Sequence, residues 1–296
     1  MTETVPAPIV DAATRHEIAS GVFVIPDHRV PLVPNIGIVL GEHTALVVDT
    51  GMGPRNGAAV LDAAQALAGD RRLVLTLTHF HPEHGFGAAP FKGKAHILYN
   101  RAQGEDLATK GMGYLEMFRG MAPEIAEALD GTELVAADTL YDGAVHEIDL
   151  GGRKAVLRNW GMAHTRGDQI IWLPDTGVLF TGDLAEERTF PIFPWFPPDD
   201  TDINAANWIK ALTDCMALNP KIVVPGHGEI GGVKIVDDVR RYIETVGAKV
   251  AAAKAAGKDA EAIVAELEPQ IRAAHPDWHF PEWIGFAIRY HIDTQP

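Results

Sequence analysis

Three imidazoles and one carboxylate crowd into six positions of the run Thr78-His79-Phe80-His81-Pro82-Glu83-His84-Gly85, directly after an apolar segment. His79 and His81, two apart at a strand end, project to one side. A turn after them carries Glu83 and His84 to a second position close by. Imidazole nitrogens and carboxylate oxygens are the ligands of zinc and related divalent ions, so two adjacent metal ions are the natural reading. The bland alternative is a surface histidine cluster.

Four further polar residues argue against that alternative, because each stands where an apolar run meets a glycine turn. Asp49 closes Val47-Val48-Asp49-Thr50-Gly51, and Asp183 closes Phe180-Thr181-Gly182-Asp183. His164 lies in Gly161-Met162-Ala163-His164-Thr165-Arg166-Gly167-Asp168, and His227 follows Val224-Pro225-Gly226. Glycine permits tight turns and close backbone approach, so these side chains can point into one shared cleft.

The elements that must position them read as two αβ halves. In the first, residues 21–25, 35–40 and 44–49 are short Val- and Ile-rich strands, residues 56–67 have helical spacing, and residues 72–77 are the strand that delivers the histidines. Residues 95–98 form another strand. In the second half, strands are expected at 154–159, 169–173, 177–180 and 221–224, with helices at 203–216, 233–256 and 259–274. Sheet packed on sheet with helices outside would bring the strand-end loops to one edge.

In this order, an acid-glycine turn, a His-x-His-x-Glu-His run, a later His, a Gly-Asp pair and a final Gly-His, the chain resembles the metallo-β-lactamase superfamily from about Asp49 to His227. The resemblance implies an αββα sandwich of two mixed sheets flanked by helices. It also implies a dinuclear metal centre, most often zinc and sometimes iron or manganese. Carried over by position, His79, His81 and His164 would hold one ion, His84 and His227 the other, and Asp183 would bridge them. Glu83 stands where the family has Asp. Its extra methylene would displace the carboxylate by about 1.5 Å on an unchanged backbone. Metal bonds tolerate only about 0.2 Å. Glu83 therefore either ligates the second ion after a local adjustment or orients the attacking water beside it. Asp49 reads as a partner that fixes a ligand imidazole or the turn.

Two divalent ions would lower the pKa of a bridging water from about 15.7 towards 7, supplying hydroxide at neutral pH, and would polarise a carbonyl. Hydrolysis of an ester, lactone, thioester or amide is the expected chemistry, with Glu83 and Asp183 as its catalytic carboxylates. An aspartate at the bridging position looks more like glyoxalase II and the acyl-homoserine-lactone lactonases than like true β-lactamases, which leaves β-lactam hydrolysis as a side activity. The alternative is a mononuclear iron oxidoreductase of the persulfide dioxygenase type.

The composition bounds the partners. The 296 residues can bury a large core, and 47% hydrophobic with 22% charged content suits a globular chain. A formal charge of −15 disfavours a nucleic-acid backbone as partner. Residues 1–11 lack the pattern of a signal peptide, no stretch reaches the roughly 18 apolar residues of a membrane span, and a cytoplasmic enzyme is the expectation. The lone Cys215 excludes an intramolecular disulfide.

One domain over 1–296 is expected, with a helical insertion at 101–130 and C-terminal helices with a docked tail at 232–296. Phe190, Phe193, Trp195 and Phe196, on a proline-stiffened loop after Asp183, either line a pocket for a small substrate with an apolar portion or pack against a helix or a second subunit of a homodimer. In the insertion, Met112, Tyr114, Met117, Phe118 and Met121 form a lid over the metals or a core-facing stripe, with the core role favoured. Histidines outside the motifs, His279 and His291 among them, read as surface or ordinary hydrogen-bonding residues.

Overall fold

The apolar runs pair into two sheets in a computed structural model that describes residues 6–296. Strands β1 (His16–Ala19), β2 (Val22–Ile25), β3 (Ile36–Leu40), β4 (Thr44–Val48), β5 (Arg72–Thr76), β6 (His96–Asn100) and β7 (Thr139–Tyr141) follow one another across the first sheet. Pairing is antiparallel from β1 to β4 and parallel from β4 to β7. The second sheet joins β8 (Val145–Asp149), β9 (Lys154–Asn159), β10 (Gln169–Leu173), β11 (Val178–Gly182) and β12 (Ile222–Pro225) in the order β12-β11-β10-β9-β8. Only its β11–β12 pair is parallel. Both sheets are therefore mixed.

Helices cover the outer faces. They are α1 (Gly53–Ala68), α2 (Pro82–Gly85), α3 (Arg101–Arg119), α4 (Pro123–Ala128), α5 (Ala205–Ala217), α6 (Lys234–Ala255), α7 (Ala260–Ala274) and α8 (Ile284–Thr294). Helix α1 shows why: Val60, Leu61, Ala64 and Ala68 fall on one buried side, while Arg55, Asp62 and Gln65 stay exposed. Its end is set by Gly69, whose φ of +59° a side chain would resist.

Three apolar layers result. Leu46, Val48, Leu157, Ile171, Phe180 and Val224 fill the space between the sheets. Val47, Leu61, Leu75 and Phe118 pack beneath α1 and α3, and Ile170, Trp208, Val239 and Ile288 pack beneath α5, α6 and α8. Each fully buried Val, Leu or Phe contributes roughly 1.5–3 kcal/mol relative to exposure. With helices outside both sheets, the architecture is the αββα sandwich.

The sheet edges carry strands that the sequence pattern does not mark. Strand β8 alternates exposed and half-buried residues at the sheet edge, and β7 has three residues, so neither carries an apolar run that marks it as a strand. Strand β1, His-Glu-Ile-Ala, is equally polar. The expected helices are present, with α1 starting three residues earlier than its apolar spacing suggested. The reading of residues 1–11 falls in part on 1–5, which lie outside the described residues. No described helix is long and apolar enough to cross a membrane.

Candidate metal centre

Strand pairing brings the polar ends together. In the parallel pair β4–β5, Val48 stands opposite Thr76, so Asp49 and the run from Thr78 emerge side by side. In the parallel pair β11–β12, Gly182 stands opposite Pro225, which places Asp183 beside the Gly226-His227 turn. Two glycines are obligatory there. A Cβ at Gly182, whose φ is +52°, would lie 2.5 Å from Thr78 Cβ, and one at Gly226 would lie 2.0 Å from Asp183 Oδ1.

The single turn of α2 separates the histidines into two positions. His81 precedes it, while Glu83 and His84 lie within it. One group of ligand atoms comprises His79, His81, His164 and Asp183, and a second comprises Glu83, His84, Asp183 and His227, the atoms of each lying within 4.8 Å of one another. Asp183 belongs to both: its Oδ2 is 3.7 Å from His79 Nε2, and its Oδ1 is 3.2 Å from His84 Nε2 and 3.8 Å from His227 Nε2. His164 Nε2 lies 3.3 Å from His81 Nδ1.

These atoms fit a metal because little else satisfies them. His79 Nε2, His81 Nε2, Glu83 Oε2, His84 Nε2 and Asp183 Oδ1 are all buried without a hydrogen-bond partner. Buried polar atoms are normally paired, so a concentration of orphans marks a ligand's place. The outward atoms, by contrast, are held. His164 Nδ1 is 3.2 Å from the Ile192 carbonyl, to which it donates, leaving Nε2 with a lone pair. His84 Nδ1 is 2.9 Å from Asp49 Oδ2. Asp49 also accepts from Thr78 N–H at 2.7 Å and Thr78 Oγ1 at 2.9 Å. Those contacts offset its left-handed backbone, φ +68°.

The electrostatics suit the same role. Burial pushes His79 and His81 well below the usual imidazole range and His164 down to about 4, so all three present neutral rings. Burial would depress His84 too, but Asp183 and Asp49 outweigh it and hold the ring protonated. A metal would replace that proton at Nε2. Burial raises Glu83. Burial opposes the ionised Asp183 as well, yet His84, His227 and His79 keep it ionised.

Four of the candidate ligands, His81, Glu83, Asp183 and His227, line a cavity of about 370 Å³. Tyr114 and Phe196 line it. The Tyr114 ring stacks on His81 at 5.2 Å, and its hydroxyl donates to Asp200 at 2.8 Å. The other aromatic expectations need correction. Phe190 and Phe193 are fully buried, against Tyr242 and Trp208, and Trp195 packs edge-on to Tyr290 while its Nε1 donates to Asp293 at 3.0 Å. From that loop Ile192, Pro194 and Phe196 reach the cavity instead. Met117 and Met121 also line it and are partly exposed, so they are not core residues.

Two walls were missed. Val30, Pro31 and Leu32 come from the loop before β3, and Trp283 and Phe286 from the C-terminal segment, which docks on its own chain. His279 lines the cavity, and His291 is buried with its Nδ1 3.0 Å from Gln295 Nε2. Asp27 and Asn35 were also unmarked: Asn35 donates to the Pro225 and Gly228 carbonyls, and Asp27 accepts from Gly228 N–H, pinning the His227 loop. Their buried polarity is invisible until the fold is known.

The chain is similar to known proteins in sequence and fold. The family model described as metallo-beta-lactamase superfamily matches residues 29–227. A metallo-beta-lactamase type 2 of Bacteroides fragilis is 25% identical over 222 residues, covering 72% of this chain and 78% of the relative. The acyl-coenzyme A thioesterase MBLAC2 of Bos taurus is 26% identical over 242 residues, covering 72% of this chain and 80% of the relative. Among solved structures, the sec-alkylsulfatase Pisa1 from Pseudomonas sp. superposes with a TM-score of 0.72 at 16% identity. It covers 95% of this chain, which spans only 50% of that protein. DIM-1 metallo-beta-lactamase gives 0.60 at 16% identity, with 78% and 96% covered. At such identities the structural likeness speaks for the fold alone, whereas the family model spans most of the chain and every candidate ligand. The chain belongs to the metallo-beta-lactamase superfamily and is a metal-dependent hydrolase of that fold.

Proposed function

We propose that this enzyme uses two divalent metal ions, zinc foremost, to hydrolyse an ester, lactone, thioester or amide with an apolar portion. The observation that carries the reading is the position of Asp183, whose two oxygens face both groups of ligand atoms. His79, His81 and His164 would hold one ion, and His84, His227 and Glu83 the other. When bound, such ions polarise a carbonyl and acidify water.

The chain's own residues do the rest. Asp49 and the Ile192 carbonyl fix the rings of His84 and His164, so the ligands are oriented before a metal arrives. Glu83, buried and with a free oxygen, would accept a proton from the attacking water and return it to the leaving group. Tyr114, stacked on His81, closes one side of the site. Leu32, Phe196, Trp283 and Phe286 supply the apolar wall for the rest of the substrate. The thioesterase and lactamase relatives both cleave acyl bonds, which supports acyl transfer to water as the reaction.

The test is turnover of an ester, lactone, thioester and β-lactam panel by chelated and zinc-titrated enzyme. Activity rising to a plateau at two ions per chain is expected. One iron per chain with oxygen uptake and no hydrolysis would replace this reading with the oxidoreductase one.

A further inference from the structure

Glu186 is a buried polar residue of the cavity that the proposed hydrolysis leaves without a task. It is 3% exposed, its Oε2 has no hydrogen-bond partner, and it lines the cavity beside Asp27, Glu83, Asp183 and His227. Its backbone is fixed against the strand ends that carry the ligands. Ala185 N–H donates to the Gly182 carbonyl at 3.2 Å, and Glu187 N–H donates to the His227 carbonyl at 2.9 Å.

The neighbouring carboxylates are accounted for. Asp27 accepts from Gly228 N–H at 2.7 Å and Arg29 N–H at 3.1 Å, Glu187 pairs with Arg29, and Glu83 and Asp183 belong to the ligand groups. Among the described residues Glu186 forms no ion pair and falls in neither ligand group. It also borders a second, polar cleft near Arg188 and Glu229, but shares the main cavity with Asp27, Glu83 and Asp183, on the metal side. A carboxyl so placed awaits a donor that this chain does not supply.

We propose that Glu186 binds the substrate by accepting a hydrogen bond from an N–H or O–H group close to the scissile bond. The preferred substrates are then neutral acyl compounds that carry such a donor at the polar end and an apolar chain at the other, against Leu32, Phe196, Trp283 and Phe286. A carboxyl offers an acceptor oxygen whether ionised or protonated, so the recognition holds in either state. The substrate class rests on the hydrolase reading; the donor contact itself does not.

Calorimetric binding of two amides to the zinc-loaded enzyme, with any cleavage followed separately by chromatography, tests this. N-hexylacetamide keeps the donor, and N-hexyl-N-methylacetamide lacks it. The first is expected to bind about tenfold tighter or more, because a site built around a hydrogen bond rejects the ligand that cannot make it. Glu186→Leu should abolish the preference at wild-type zinc content, and Glu186→Gln, whose amide oxygen accepts, should keep it. Should the leucine variant fail to fold, Glu186→Ala carries the same comparison. Equal affinities, no binding of either amide, a preference that survives in the leucine variant, or loss of zinc from it would each overturn the proposal. Amide discrimination in an enzyme that cleaves no acyl bond would instead overturn the hydrolase reading and leave Glu186 as assigned.

Discussion

Asp49 Oδ2 lies 2.9 Å from His84 Nδ1, and neither side chain reaches solvent. The carboxylate fixes the tautomer and the plane of the ring, so Nε2 faces Asp183. Oriented ligands of this kind typically lose 10- to 100-fold in metal affinity, by order of magnitude, when the orienting partner is removed. Asp49→Ala is therefore expected to weaken the ion at the Glu83, His84, Asp183 and His227 group by about that factor and to leave the other group loaded. Competition with a chromophoric chelator reads the two affinities separately. Equal loss at both groups would mean that Asp49 holds the whole turn rather than one ring.

His79→Ala and His164→Ala act on the other group. Three neutral imidazoles define it, and each deletion leaves too few ligands to hold an ion. Either variant should bind one metal less per chain and lose hydrolysis. Elemental analysis after dialysis checks this, and two ions per chain with normal turnover would show the ligand assignment to be wrong.

Much of the centre was legible because its residues sit at glycine-flanked ends of apolar strands, as Asp183 does after Gly182 and His227 after Gly226. Those strand ends can be read one at a time. The cavity wall cannot, because Leu32 and Trp283 come from opposite ends of the chain and meet only through packing. The loop from Phe190 to Phe196 has no helical or strand period from which to infer a face. Phe190 and Phe193 turned inward there, and Ile192 and Phe196 toward the site. Asp27, Asn35 and Glu186 are single polar residues whose burial depends on distant partners, so no local signal marks them.

That division within one loop gives a prediction about specificity. Phe196→Ala and Trp283→Ala remove apolar wall that touches ground and transition states alike, so KM should rise by about tenfold while kcat changes little. Trp195→Ala, three positions from Ile192's carbonyl but packed on Tyr290, should leave KM unchanged and lower the melting temperature. Phe193→Ala, from a fully buried ring, should destabilise by about 3–5 kcal/mol. Steady-state kinetics with thermal unfolding separates the two behaviours; a KM effect confined to Trp195 would reverse the orientation of the loop.

Glu83 departs from the family at the centre itself. It lies in the one-turn helix α2, with Oε2 buried and free, in the group that includes His84, Asp183 and His227. An Asp at this position would hold its carboxylate about 1.5 Å further back on the same turn, so restoring the family's residue should leave a gap rather than an improvement. Glu83→Asp is expected to weaken the metal of that group or to lower kcat by about tenfold, equivalent to roughly 1.4 kcal/mol at the transition state. Glu83→Gln keeps the length and removes the charge, and it should be worse, because a neutral amide is a poorer ligand and cannot take a proton from water. Turnover measured across a titration of zinc or manganese distinguishes lost metal, which added ion restores, from slowed chemistry, which it does not. Full occupancy with undiminished activity in Glu83→Gln would show that His84, His227 and Asp183 suffice, and that this carboxylate takes no part.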